Sequence, residues 1–369
     1  MVTVLDALSA LVTETVGDAA RGWDVAGEIP LDVLRGLGAK GVLCAEAHPE
    51  FGGLGLSGTD NGALTAHTGA LCSSLRSVMT SQGMAAWTVR RFGDKAQRVE
   101  YLGRLTDGEL AAVAFSEPGA GSDLAAMSTR IRRDGGEIVV DGTKTWITVA
   151  AYADWIVVFG RYEGGGAVAL VPATAPGVKV TRVPDPLGCR AAGHATVELD
   201  GVRLPEEHLL AVTGLPVVMM TTIALTYGRL SVAWGCVGIL RACVEAVARH
   251  AGQREQFGKP LLQHQLVARH LAELYAAERT ATFACEQASR AWDTGSPEQV
   301  PASVLAKHVA AGNAARGAAS ALQVLASSAA TGGHVVERAY RDAKLMEVIE
   351  GSNEICQLIL AEHAASTAG

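Results

Sequence analysis

The sequence predicts an α+β protein in three successive parts: a helical domain over residues 1–110, a β-domain over 111–215 and a helical bundle over 216–369. Three observations predict it. Helix formers dominate the first part. In the middle, Ala195, Val197 and Leu199 alternate with Thr196 and Glu198, which is the period of a half-buried strand. Beyond Val217 the apolar residues return to a helical period.

Ile29-Pro30 opens one segment of the first part, and the loop Phe51-Gly52-Gly53-Leu54-Gly55 interrupts another. In the second part Asp141-Gly142 and Asp200-Gly201 read as hairpin turns. In the third, Ala233, Cys236, Val237, Leu240, Cys243, Val244 and Val247 form one apolar stripe, and Leu266, Val267, Leu271, Leu274 and Tyr275 a second. After the break at Asp293-Thr294-Gly295-Ser296-Pro297, a third long helical segment runs from about Ala302 to Ala330, and a fourth follows near the C-terminus. Four long helices with short connections predict a bundle. There is no internal repeat, and no alternation of strand and helix to suggest a doubly wound parallel sheet.

With 369 residues, 49% of them hydrophobic, the chain can bury one large core or two to three smaller ones. A net charge of -7 gives no overall attraction to nucleic acid or to an anionic membrane, so an anionic partner must meet a local basic patch. Cys44, Cys72, Cys189, Cys236, Cys243, Cys285 and Cys356 are odd in number and include no Cys-x-x-Cys pair, which argues against a disulfide framework or a metal site. They read as small core residues in a reducing cytoplasm. The segment from Met1 to Val16 carries Asp6 and Glu14, has no basic start and has no unbroken apolar run, unlike a signal peptide or a membrane span.

Chemistry concentrates in Val113-Ala114-Phe115-Ser116-Glu117-Pro118-Gly119-Ala120-Gly121-Ser122-Asp123. Alone this is a polar turn, with Pro118 fixed, Gly119 and Gly121 free to take positive φ, and Ser116, Ser122 and Asp123 able to bond locally. It is followed by Gly142-Thr143-Lys144-Thr145-Trp146-Ile147-Thr148, by Arg254-Glu255-Gln256-Phe257-Gly258-Lys259-Pro260 with His264-Gln265, by Arg341-Asp342-Ala343-Lys344 and by Glu350-Gly351-Ser352-Asn353-Glu354-Ile355. In this order, over nearly the whole chain, the set resembles the acyl-CoA dehydrogenase family.

The resemblance implies FAD as cofactor and Glu350 as the catalytic base. Glu350 would take the α-proton of an acyl thioester while the β-hydrogen leaves as hydride to flavin N5, the thioester carbonyl being polarised by a flavin ribityl hydroxyl and the Glu350 backbone N–H. Apart from the ordered set, Glu350 reads as a helix-terminal glutamate on a solvated face. Val113, Phe115, Ser116, Gly121 and Ser122 would line the flavin ring, with Trp146, Ile147 and Thr148 covering it; Trp146 alone could equally be a core residue of a strand. Arg254, Gln256, Phe257, His264 and Gln265 would reach the pyrophosphate and adenosine of a flavin bound largely by a neighbouring subunit, with Gln323, Val324, Ser327, Ser352 and Glu354 at the remaining contact positions. A homodimer or homotetramer follows. Ser122, Thr226, Arg229 and Gly351 are the substrate-side candidates, and Gly188 and Arg190 read as structural.

Several positions depart from the family pattern. Ala326-Ser327 stands where a Gly-Gly pair is common, Ile349 where a tyrosine is, Val149 where an asparagine is, and Thr226 where an aspartate is. Chain length and the ending Ile349 to Ala364 look most like acyl-ACP dehydrogenases of polyketide pathways that make hydroxymalonyl or methoxymalonyl extender units. Removing an α-proton and a β-hydride from a thioester hydroxylated at Cβ gives an enol, which tautomerises to a carbonyl. The partners implied are an acyl carrier protein or CoA thioester, and an electron-transfer flavoprotein or oxygen as acceptor. The alternatives are a short- or branched-chain acyl-CoA dehydrogenase, a flavin monooxygenase of the same fold, against which Glu350 counts, and a flavin-free module that binds acyl carriers.

Overall fold

The computed structural model describes residues 3–210 and 214–367. Among these, six α-helices precede the first strand: α1 (Val4–Val16), α2 (Ala19–Ala26), α3 (Leu31–Ala39), α4 (Gly58–Leu71), α5 (Ser73–Phe92) and α6 (Lys95–Thr106). Their starts are written locally. Thr3 with Asp6, and Asp94 with Gln97, form reciprocal capping boxes, and Pro30 stands immediately before α3. The glycine loop before α4 folds back on itself: a Cβ on Gly53 would lie 2.0 Å from the Ala47 carbonyl oxygen.

Eight strands follow: β1 (Ala111–Ala114), β2 (Arg130–Asp134), β3 (Glu137–Ile147), β4 (Trp155–Tyr162), β5 (Gly165–Pro172), β6 (Val178–Arg182), β7 (Ala195–Pro205) and β8 (Leu209–Leu210). The sheet runs in the order β6-β7-β3-β2-β4-β5-β8, with β1 beside β4. Pairing is antiparallel except β1 and β2 with β4. Asp141-Gly142 and Asp200-Gly201 correct the sequence reading, because neither is a turn. Both lie inside the long strands β3 and β7, whose register shifts between Val140 and Gly142. There Asp141 Oδ1 accepts from Gly201 N at 2.8 Å, and a Cβ on Gly142 would strike Thr129 Oγ1. The same dipeptide chemistry serves a bulge as well as a turn.

The third part holds α7 (Val217–Gln253), the short pair β9 (Glu255–Gln256) and β10 (Lys259–Pro260), then α8 (Gln265–Asp293), α9 (Gln299–Leu325), α10 (Val335–Met346) and α11 (Asn353–Thr367). The α7 helix is about 55 Å long. It is apolar enough to cross a membrane, but its apolar stretch is mostly buried inside the fold. It packs against α4 so closely that a Cβ on Gly62 would fall 2.2 Å from Trp234 Nε1. The expected fourth long helix is two helices, broken at 347–352, the segment that carries Glu350. The second apolar stripe also differs: of its five residues only Leu274 is deeply buried, while Leu266 and Tyr275 are exposed. All seven cysteines are buried free thiols.

Candidate active site

Glu350 sits in the break between α10 and α11 with φ at 54°, followed by Gly351 at 87°. Two cations on long helices hold this break by its backbone. Arg229 Nε, from α7, donates to the Glu350 carbonyl at 3.1 Å, and Lys307 Nζ, from α9, donates to the Gly351 carbonyl at 2.7 Å. The carboxylate is left free: Glu350 Oε2 is buried with no hydrogen-bond partner, and so is Arg229 Nη1. The Glu350 N–H has no acceptor among the described residues either. Burial raises the Glu350 carboxyl above the ordinary range, opposed by the charges of Arg229, Lys307 and Arg76. The carboxylate oxygen is thus not on a solvated face.

The residues predicted to line the flavin ring lie on β1, β3 and the loop between β1 and β2. Val113, Phe115 and Ile147 turn their side chains into the core, so they offer backbone only. Glu117 and Lys144 form a buried pair, Nζ to Oε1 at 2.9 Å, and Lys144 also donates to the Phe115 carbonyl at 3.0 Å. Ser128 and Thr129 complete the carboxylate's partners. Burial pushes Glu117 up, but these hydrogen bonds outweigh it and hold the carboxyl at about 2. Gly121 and Ser122 are exposed on the loop, and the space beside Gly121 is open. Trp146, at φ 57° and 58% exposed, is not a core residue. Thr148 Oγ1 lies 3.3 Å from His194 Nδ1, and burial lowers the imidazole to about 4, so it is neutral near pH 7.

Helix α5 joins the two halves. Ser81 Oγ donates to the Thr148 carbonyl at 3.4 Å, and three residues on, Met84 Sδ packs with Glu350 Oε2 around the bare Cα of Gly228. A Cβ on Gly228 would lie 2.5 Å from that oxygen. Thr226 and Arg229 share α7 with Gly228 and are each 3% exposed. Gly351 packs on Arg229, and Ser352 is half-buried beside it, while Glu354 points outward.

The remaining predicted cofactor contacts lie elsewhere. Arg254, Gln256, Phe257, His264 and Gln265 cluster beyond the far end of α7, about 37 Å along the helix from Arg229. Phe257 is 95% exposed, and Arg254 makes no ion pair among the described residues. Gln323, Val324 and Ser327, at the end of α9, sit at the same end of the bundle, where His270 Nδ1 on α8 meets Ser320 Oγ on α9 at 2.7 Å. One chain therefore does not bring both groups together. Gly188 is closely packed: a Cβ there would lie 2.8 Å from the Arg341 carbonyl oxygen and from Asp342 Oδ1.

Three family models match in the order of the three parts: acyl-CoA dehydrogenase N-terminal domain over residues 2–109, middle domain over 112–202 and C-terminal domain over 213–365. The chain belongs to the acyl-CoA dehydrogenase family. It is an FAD-dependent dehydrogenase of acyl thioesters. Among its relatives, the mitochondrial short-chain specific acyl-CoA dehydrogenase of Rattus norvegicus is 30% identical over 343 residues, covering 90% of this chain and 82% of that one. A solved structure of FkbI, for biosynthesis of the methoxymalonyl extender unit of a polyketide immunosuppressant, is 61% identical. Its TM-score is 0.93, covering 97% of this chain and 99% of that one. A glutaryl-CoA dehydrogenase from Mycobacterium smegmatis in complex with FADH2 is 26% identical at a TM-score of 0.92, covering 99% and 95%.

The acyl-CoA dehydrogenase site fits FAD. An exposed indole at Trp146, open backbone at Gly119 and Gly121, and the hydroxyls of Ser116, Ser122 and Thr148 suit a flat ring with polar edges, and the unpaired Arg254 suits a phosphate. Sequence reasoning misses three residues: Lys307, His194 and Arg76, a fully buried arginine of α5. Each is a lone polar residue without a local motif. Only the packing of distant elements shows what it touches.

Proposed function

We propose that this chain oxidises a short hydroxylated acyl group carried as a thioester on an acyl carrier protein, in the making of a hydroxymalonyl or methoxymalonyl extender unit for polyketide assembly. The observation that carries the reaction is Glu350: a buried, unpartnered carboxylate oxygen on a backbone pinned by Arg229 and Lys307. An unpaired acceptor in that setting is arranged to take a proton from carbon, with its pKa raised toward the working range. The free N–H of Glu350 donates to the thioester carbonyl and stabilises the charge that develops as the α-proton leaves. Bound FAD supplies the hydride acceptor, with Ser116, Gly121, Ser122, Trp146 and Thr148 on its ring side. For a β-hydroxylated acyl group the product is an enol that tautomerises to the carbonyl.

The likeness to the extender-unit protein FkbI supports the substrate. A cleft supports the carrier. About 520 Å³ in volume, it is lined by Arg130, Arg132, Arg161 and Glu163 with Val217 and Val218 at the start of α7. Arg130 and Arg161 make no ion pair among the described residues, so a chain of net charge -7 presents a locally basic mouth. From Val218, 44% exposed, one face of α7 passes through half-buried Thr222 to buried Thr226 and Arg229, a path of about 16 Å from the mouth to the base. An acidic carrier docked at the arginines would send its pantetheine arm along that face.

A second copy of the chain supplies Arg254, Gln256, Phe257, His264, Gln265, Gln323, Val324 and Ser327 to the flavin. The uncovered apolar residues Leu266, Tyr275 and Phe283 on α8 support such a homodimer or homotetramer. The electron acceptor is an electron-transfer flavoprotein or oxygen, and the seven free thiols suit the cytoplasm.

The test is anaerobic bleaching of the oxidised flavin by a hydroxylated three-carbon acyl group on carrier protein and, separately, on CoA. Bleaching by the carrier-bound substrate is expected, slowed about 10²- to 10⁴-fold in Glu350→Gln. Bleaching by simple acyl-CoA esters alone returns the protein to short- or branched-chain oxidation. Bleaching that survives in the variant removes Glu350 from the role of base.

A further inference from the structure

The chain leaves β3 through a segment that its own backbone does not favour. Trp146 has φ at 57° and Val149 at 71°, so Ile147-Thr148 is framed by two non-glycine residues in the left-handed region. Such residues persist only where their surroundings hold them. Backbone bonds do most of the holding. Thr145 N donates to the Ser116 carbonyl at 2.9 Å, Val149 N to Ala192 at 3.0 Å and Ala151 N to Gly193 at 3.1 Å. The facing segment, 191–194, is itself clamped. Tyr152 Oη donates to the Ala191 carbonyl at 3.0 Å, a Cβ on Gly193 would lie 2.4 Å from the Tyr152 ring, and the His194 carbonyl accepts from Val183 N at 2.8 Å.

Between these two clamped segments one side-chain bond forms, His194 Nδ1 to Thr148 Oγ1 at 3.3 Å. The same imidazole packs against the Trp146 indole, with ring centroids 6.0 Å apart. One ring therefore touches both Trp146 and Thr148. On its other side it lines a cleft of about 200 Å³ with Arg182 and Arg190, and its buried Nε2 has no hydrogen-bond partner. Burial lowers the imidazole to about 4. The charge of Arg76 adds to this, a guanidinium that meets Thr80 Oγ1 and Met346 Sδ but no carboxylate among the described residues. A neutral imidazole carries one hydrogen, and the bare Nε2 decides where it sits. On Nε2 it would be a buried N–H with nothing to accept it, and the Thr148 hydroxyl would spend its own hydrogen on Nδ1. On Nδ1 it is given to Thr148 Oγ1, only a lone pair is left bare, and the threonine hydrogen stays free. Thr148 Oγ1 has no second partner among the described residues.

We propose that His194 is a positioning residue for the flavin side of the site: its Nδ1–H donates to Thr148 Oγ1 and so commits the threonine hydroxyl as a donor to an acceptor on the flavin. The proposal rests on the placement of Trp146 and Thr148 at the flavin and adds the residue that aims them. An oxidised flavin ring carries carbonyl oxygens and unprotonated nitrogens along its edge, and a hydroxyl whose hydrogen is free matches them. A hydroxyl that had given its hydrogen to His194 would offer that edge nothing but lone pairs.

The test is a double-variant cycle on the holoenzyme, read as the FAD dissociation constant from flavin fluorescence on dilution and as the position of the oxidised-flavin band. His194→Leu and Thr148→Val should each weaken FAD by about 3- to 10-fold and move the band the same way. The double variant should lose no more than the larger single change, because both act through one hydroxyl. His194→Asn, whose amide N–H replaces Nδ1–H, should keep most of the affinity and the wild-type band. His194→Gln, whose amide lies nearer Nε2, should behave as His194→Leu does, and the Asn–Gln pair serves if the leucine variant does not fold. Losses that add in the double variant show plain packing and overturn the proposal. A gain in affinity in His194→Leu shows that Nδ1 accepts the threonine hydrogen and overturns it too. Loss of FAD in Thr148→Val without loss in His194→Leu overturns the role of His194 and keeps Thr148 at the flavin. Full retention in Thr148→Val overturns both. No substrate enters the test, so the oxidation proposed above stands or falls separately.

Discussion

Glu117 and Glu350 are both glutamates set among buried cations, and the structure treats them in opposite ways. Glu117 accepts from Lys144, Ser128 and Thr129, so its charge is fully met and its carboxyl is held at about 2. Glu350 has three cations nearby, Arg229, Lys307 and Arg76, but none donates to its carboxylate, and the bonds of Arg229 Nε and Lys307 Nζ go to the Glu350 and Gly351 carbonyls, leaving Oε2 bare. The first arrangement fixes a loop: through Lys144 it ties the Phe115 carbonyl to β3. The second fixes a backbone and withholds partners from the side chain, which a base needs. A satisfied buried charge reads as architecture and an unsatisfied one as chemistry.

The strongest way to break this contrast is Lys144→Met. It strands Glu117 in the interior, and the expected cost is about 3–5 kcal/mol in chemical denaturation. The double variant Lys144→Met with Glu117→Gln should recover part of that loss. If the single change costs nothing, the pair is not holding the loop.

The two glutamates also differ in how their amides respond to pH. The Glu117 carboxyl is depressed, so its stabilisation is present above the ordinary glutamate range and is lost as pH falls toward about 2. Glu117→Gln should therefore cost about 2–3 kcal/mol near neutrality, with the deficit shrinking in acid. The Glu350 carboxyl is raised, so wild-type stability falls as pH climbs from the ordinary glutamate value through the folded one. Glu350→Gln removes that penalty and should be more stable than wild type above this window, with the advantage vanishing below it. Melting temperatures of both variants from about pH 2 to pH 8 check the two slopes. Slopes of the same sign would sink the distinction.

Much of this is legible in the sequence, for reasons that differ by residue. The three-part order follows from a change of hydrophobic period, which each segment carries locally. Asp141-Gly142 is misread because its meaning depends on β7 lying alongside with Asp200-Gly201. Leu266 and Tyr275 are read as core because periodicity reports an apolar face and not what covers it. Glu350 is legible through its place after four other motifs. Its bare oxygen, the grip of Lys307 from α9 and the acid-free burial of Arg76 depend on contacts across more than forty residues of sequence, which no local pattern encodes.

The smallest test asks whether backbone strain follows the same rule as buried charge. Non-glycine residues at positive φ include Trp146, Val149, Phe257, Ala326 and Glu350, all at or beside positions predicted to meet cofactor or substrate. At Glu350 the strain sets a side chain in place. At Ala326 (φ 49°, ψ -134°) the side chain is one exposed methyl, in a position where the family commonly has glycine. If strain there serves no chemistry, Ala326→Gly should relieve it and stabilise the protein by about 1 kcal/mol, since glycine adopts this conformation without a Cβ clash. FAD retention should be equal or better. A loss of stability or of FAD in Ala326→Gly would show that the methyl itself makes a needed contact, on this chain or on the second copy proposed above.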